Sequence, residues 1–203
     1  MRLCFIGDSF VVGHGDPEYL GWVGRLCASA RADRHDVTAY NLGVRGNTSA
    51  DVLSRWQAES SRRFPDGQQS GLVFSFGVND TIIREGRQRV SLEDSVENAR
   101  QIIEKAGRQA PTIFIGPPPI ADAAQNARIK DLGETYDALC EGLEVLHFNP
   151  YAALAASDLW MGEVAAGDGA HPSAAGYAMF AGLIRESLDW RAFLKGVESS
   201  IYL

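Results

Sequence analysis

Cysteine is scarce. The 203 residues contain three, Cys4, Cys27 and Cys140, far apart and with no CxxC pair. An odd, scattered set excludes a disulfide framework and a cysteine-based zinc scaffold, and fits reduced thiols in a reducing compartment. Basic charge is also short, with 19 Lys and Arg against 26 Asp and Glu for a formal net charge of −7. An acidic surface repels phosphate backbones and anionic lipid, so nucleic acid is not an expected partner. No apolar run approaches a membrane span, and Leu3-Cys4-Phe5-Ile6 is too short for a signal-peptide core, so the expectation is a cytoplasmic protein without membrane insertion. Proline is sparse too, 8 residues beside 21 glycines, together about 14% of the chain and below the level that marks disorder.

What is present is the profile of one ordinary globular domain over residues 1–203, 45% hydrophobic and 22% charged. A chain of this size buries roughly 70% of the surface its unfolded form exposes, so its core needs no staples. Short apolar runs at Leu3–Ile6, Val37–Leu42, Leu72–Phe76, Thr112–Ile115 and Val145–Phe148 have strand length and end in Gly, Pro, Asn or Asp. They alternate with segments of helical period, which predicts an α/β fold with a five-stranded, mostly parallel sheet. Leu20, Val23, Gly24 and Cys27 mark one helix face, and Val52, Leu53 and Trp56 a second after a Thr48 cap. A third helix follows Ser91-Leu92-Glu93-Asp94, which has capping-box spacing, with Val96, Ala99, Ile102, Ile103 and Ala106 inward. A fourth carries Ile129, Leu132, Tyr136, Leu139, Cys140 and Leu143. Ser173 is the expected cap of a last helix with Tyr177, Phe180, Ala181, Ile184 and Leu188 inward.

In open α/β sheets ligands bind at the carboxyl ends of the strands, so the residues just after each strand carry the functional reading. Ser9 follows the first strand and becomes a nucleophile if a base stands beside it; alone, it is a turn or capping serine. His171 is the candidate base. Asp168, three residues earlier across Gly169, can hold the imidazole tautomer that leaves one ring nitrogen free to accept a proton. His14, His35 and His147 are weaker candidates: His14 has only Asp16 nearby in sequence, His35 lies in a charged connection and His147 within a strand run. Acyl transfer also needs donors for the developing oxyanion. Gly46 offers an unobstructed backbone N–H, and Asn79 a neutral side-chain amide at the end of the third strand.

Taken together, Gly7-Asp8-Ser9-Phe10, Gly46 within Asn41-x-Gly-x-x-Gly-Asn-Thr, Gly77-x-Asn79-Asp80 and Asp168-x-x-His171 resemble, in order and spacing, the four sequence blocks of the SGNH hydrolases, also called GDSL esterases/lipases. The resemblance covers nearly the whole chain. It implies a three-layer α/β/α, flavodoxin-like sandwich and a catalytic Ser9, Asp168 and His171. It also implies an oxyanion hole of Ser9 N–H, Gly46 N–H and the Asn79 side chain, with no metal and no cofactor. Phe10 departs from the family, which has leucine there, and is expected to pack beneath the loop without affecting chemistry. No G-x-S-x-G nucleophile elbow occurs.

The implied activity is hydrolysis of a small-molecule carboxylic ester, short acyl or acetyl esters favoured, through a Ser-His-Asp acyl-enzyme. A thioesterase or lysophospholipase-type acylhydrolase for longer chains, or a non-catalytic flavodoxin-like module for phosphate or flavin, are the alternatives. Activity is expected to rise through a pKa of about 6.5, higher if Asp168 stabilises the imidazolium. Pro117-Pro118-Pro119 and Trp160-Met161 read equally as walls of an acyl pocket or as plain packing. Arg45 reads as an anion contact or a solvent-facing residue.

Overall fold

The structure, a computed structural model, describes residues 1–200. Five parallel strands form the sheet: β1 (Arg2–Gly7), β2 (Thr38–Gly43), β3 (Ser70–Ser75), β6 (Thr112–Ile115) and β7 (Leu146–Phe148), ordered β2-β1-β3-β6-β7. A small antiparallel arm, β4 (Ile83–Arg84) with β5 (Arg87–Gln88), stands apart. The register aligns Gly7 with Gly43 on one side and with Ser75 on the other, so the first three strands end level. The winding reverses between β1 and β3, which opens a crevice at their carboxyl ends. This is the flavodoxin-like order that the resemblance implies.

Side chains of β1 alternate between two cores, because successive residues of a strand point to opposite faces. Leu3 and Phe5 pack with helices α2 (Gly21–Ala32), α8 (Ala174–Glu186) and α9 (Leu188–Ser199). Cys4 and Ile6 pack on the other face with α3 (Ser49–Ser61), α4 (Leu92–Gly107) and α5 (Ala123–Gly142). Three short helices, α1 (Ser9–Val12), α6 (Tyr151–Ala155) and α7 (Asp158–Ala166), complete the described elements. The three cysteines are free, and Cys4 and Cys140 are buried. Among the described residues no helix is long and apolar enough to cross a membrane.

Several helix expectations need correction. The Asp16 carboxylate accepts from Leu20 N and Gly21 N and starts α2 there, leaving Leu20 47% exposed and turning Trp22, Val23, Leu26 and Ala30 inward. The last helix is in fact two. Ser187 adopts an extended backbone and accepts from Trp190 N at 3.1 Å, which ends α8 and caps α9, so Leu188 lies outside. Ser173 holds the N-cap position of α8 without a capping side-chain bond. Glu163 Oε2 takes that role, accepting from Ser173 N at 2.9 Å and Gly176 N at 2.7 Å. Thr48 caps α3 as expected, in a full capping box with Asp51.

Candidate active site

The residue after β1, Asp8, is the N-cap of α1, with Oδ1 accepting from Phe10 N at 3.0 Å. That bond ends the strand abruptly and puts Ser9 at the first helical position, where its own N–H is not consumed by the helix. Asp8 is fully buried, and burial pushes its carboxyl up to about 7, helped by the nearby Asp80 carboxylate and opposed by its hydrogen bonds. Its Oδ2 accepts from Asn79 Nδ2 at 3.3 Å, which joins the end of β1 to the end of β3.

Ser9 Oγ lies 2.7 Å from His171 Nε2, and His171 Nδ1 lies 2.8 Å from Asp168 Oδ2. Asp168 Oδ1 also accepts from Ala170 N and His171 N, both at 2.9 Å. The tight return this needs is possible because Gly169 takes φ +82°, a left-handed conformation open to glycine, and Ala121 N donates to Gly169 O at 2.8 Å to anchor the loop. Burial alone would raise the Asp168 carboxyl, but the hydrogen bonds from His171 and Ala170 override it and hold the group at about 2. For His171 the balance goes the other way. Burial lowers its pKa, the Asp168 carboxylate opposes this, and the charges of His14 and Arg45 add to the lowering, so the net direction is down from 6.5.

Phe10 does more than fill space beneath a loop. Its ring lies 4.7 Å from the His171 ring and stacks on Trp160 at 6.5 Å. Trp160 is wholly buried and donates its indole N–H to Pro119 O at 3.0 Å. Pro117 to Pro119 and Trp160 are buried and pack together, and Phe10 with Trp160 behind it forms a pillar under the imidazole. Sequence reasoning missed this support, because Phe10 and Trp160 lie 150 residues apart in the chain.

The four residues Val44 to Asn47 form a turn closed by Asn47 N donating to Val44 O at 3.2 Å, with Gly46 third at φ +77°. Glycine belongs at that position of a type II turn. Asn79 Nδ2 donates to Asn47 O at 3.0 Å, so Ser9, Gly46 and Asn79 are brought to one edge through Asp8 and Asn47. Arg55 on α3 ties the region together, donating to Asn47 Oδ1 at 2.7 Å, Leu42 O at 3.0 Å and Gly7 O at 2.8 Å. Its place seven residues after the Thr48 cap, on the face shared with Val52, was a legible sign that it points at the strand ends.

The other histidines sort by structure. His14 meets the His171 ring edge to face at 4.7 Å, and its carboxylate neighbour is Asp168, 3.7 Å away. Asp16, its neighbour in sequence, is instead committed to backbone N–H groups and Arg25. His35 pairs with Glu198 at 2.7 Å, and His147 is half-buried in β7. Arg45 is exposed, on the rim of a depression of about 400 Å³ shared with Val12, His14 and Tyr19.

Ser9, a partly buried His171 and Asp168 stand in hydrogen-bonded series at the crevice of the flavodoxin-like sheet, the place where open α/β folds bind ligands. The chain belongs to the GDSL-like lipase/acylhydrolase family, whose model matches residues 5–179. The crystal structure of a lipase/acylhydrolase from Enterococcus faecalis superposes with a TM-score of 0.75 at 25% identity, covering 94% of this chain and 96% of that one. The acetylxylan esterase Axe2 from Geobacillus stearothermophilus shares the fold with a TM-score of 0.71 at 21% identity, over 98% of this chain and 94% of its own. The uncharacterized Bacillus subtilis protein YpmR is 31% identical over 93 residues, a match spanning 43% of this chain and 36% of YpmR.

Proposed function

We propose that this protein is a serine esterase for small carboxylic esters, acetyl and other short acyl groups favoured. The observation that carries the reading is the series Ser9 Oγ, His171 Nε2, His171 Nδ1 and Asp168 Oδ2, with contacts of 2.7 and 2.8 Å. Ser9 Oγ attacks the ester carbonyl as its proton passes to His171 Nε2, and Asp168 supports the imidazolium through Nδ1–H. The oxyanion accepts from Ser9 N–H, Gly46 N–H and Asn79 Nδ2–H. Both Asn79 amide hydrogens are engaged, with Asp8 Oδ2 at 3.3 Å and Asn47 O at 3.0 Å, and donation to the oxyanion requires the longer contact, to Asp8, to yield. His171 then protonates the departing alcohol, and water repeats the cycle on the acyl-enzyme. The fold shared with an acetylxylan esterase supports acetyl esters. The free cysteines fit a reducing, cytoplasmic setting.

The test is a panel of aryl esters from acetyl to dodecanoyl together with a fluorophosphonate probe. The expected results are labelling at Ser9 and a kcat/KM that peaks at acetyl to butyryl and falls about tenfold or more by octanoyl. No hydrolysis and no label would sink the reading; a peak at the longest chains would instead favour the longer-chain acylhydrolase.

The pH profile follows from the direction of the His171 shift. The base must be neutral, and burial disfavours its charged form, so kcat/KM is expected to rise through an apparent pKa below the ordinary imidazole value of about 6.5 and to stay flat above it. This reverses the higher value anticipated from Asp168 alone. An inflection above about 7 in the rate profile would contradict it.

A further inference from the structure

Three side chains with metal-ligand atoms, His14, Asp168 and His171, lie close together. His14 Nε2 is 3.7 Å from Asp168 Oδ2, which is 2.8 Å from His171 Nδ1, and one ligand atom from each residue falls within 4.8 Å of the other two. Ester hydrolysis by Ser9, His171 and Asp168 gives His14 no step to perform. Its backbone is nonetheless held firmly, His14 N donating to Ser9 O at 3.0 Å and Tyr177 Oη donating to His14 O at 2.7 Å. Gly15 presses this segment so close to His171 that a Cβ there would lie 3.0 Å from the His171 Cβ. A second imidazole is thus presented to the carboxylate by fixed chain.

We propose that His14, Asp168 and His171 form an inhibitory site for a zinc-type transition-metal cation, which stops the esterase by taking His171 Nδ1. The inhibition rests on the reading of His171 as general base; the site itself does not. Two imidazoles and a carboxylate are a donor set that zinc takes readily, with water in the fourth position, whereas magnesium and calcium prefer oxygen ligands. Tetrahedral zinc with ligand bonds of about 2.0–2.1 Å places its ligand atoms about 3.3 Å apart. The two separations from Asp168 Oδ2, 3.7 Å to His14 and 2.8 Å to His171, bracket that value, and with all three ligand atoms within 4.8 Å of one another the side chains must draw together to close on an ion. The Asp168 side chain is 49% exposed and that of His14 31%, which gives an ion a path from solvent.

Inhibition follows from the proton on the ring. Neutral His171 carries one, on Nδ1 facing Asp168, and leaves the Nε2 lone pair facing Ser9 Oγ. When a metal coordinates Nδ1 it uses that nitrogen's lone pair, and the proton relocates to Nε2. The cation stays divalent and no electron is transferred. Nε2–H then faces Ser9 as a donor and cannot accept the serine proton, so kcat falls.

The experiment has two arms. Zinc chloride is titrated calorimetrically into Ser9→Ala protein, with and without His14→Ala. Ester hydrolysis is followed in wild type, His14→Ala and His14→Asp as zinc is added, each rate referred to that variant's own metal-free rate. The expected results are one zinc per chain, bound about tenfold or more weaker without His14. Wild-type kcat should fall at micromolar zinc and recover with EDTA, His14→Ala should need about tenfold more zinc, and His14→Asp, which keeps a ligand, should remain sensitive. Equal inhibition of wild type and His14→Ala, binding without inhibition, or the same response to magnesium would overturn the proposal. If no ester is hydrolysed, calorimetry still decides the metal site and only the esterase reading falls.

Discussion

Ser9→Ala is expected to lower kcat by about 10⁴–10⁶-fold while leaving the folded protein almost unchanged. The size follows from the loss of the covalent intermediate: without Oγ the imidazole has no proton to accept, and what remains is whatever rate the oxyanion donors and substrate binding supply. The structural cost is small because the only hydrogen bond that Ser9 Oγ makes among those described is to His171 Nε2. A lost bond of this kind costs about 0.5–1.5 kcal/mol, a few degrees of Tm for a chain of this length. The pairing of an inactive enzyme with a nearly unchanged thermal midpoint separates chemistry from unfolding. Hydrolysis of an aryl acetate by purified Ser9→Ala at near the wild-type rate would remove Ser9 from the mechanism.

Asn79→Ala is expected to lower kcat by about 10²–10³-fold with little change in KM. The amide is a neutral donor in a buried setting, where a hydrogen bond to developing charge is worth more than in water. Since that charge is absent from the ground state, the loss falls on kcat. Asn79 also bridges Asp8 Oδ2 and Asn47 O, so a purely structural role would instead loosen the β1 and β3 ends and weaken substrate binding too. The split between kcat and KM is therefore the decisive measurement. A rise in KM matching the fall in kcat/KM, with kcat intact, would assign Asn79 to architecture.

Much of this fold is legible in the sequence. Leu72–Phe76 and Thr112–Ile115 read as strands because both of their faces are buried and their ends carry turn residues, and they match β3 and β6 closely. The Thr48 cap was legible for the same local reason. The break at Ser187 was not: a serine can either continue a helix surface or cap a new one, and Trp190, Phe193 and Val197 packing against the sheet favours the second. Leu20 failed for a related reason, since its outward turn is dictated by the Asp16 carboxylate and not by hydrophobic period.

The site divides along the same line. By itself the sequence determined which strand-end loops hold the candidate residues, because strand ends, glycine turns and the four motif blocks are local features written in order along the chain. Only the tertiary structure decided what surrounds His171: the Phe10 and Trp160 pillar beneath it, the second histidine at Asp168, and Glu163 holding the next helix. It also decided the direction of the His171 shift. Spacing shows that Asp168 can reach the ring and favour its charge, but the opposing term is burial, and burial is the joint product of residues far apart in the chain.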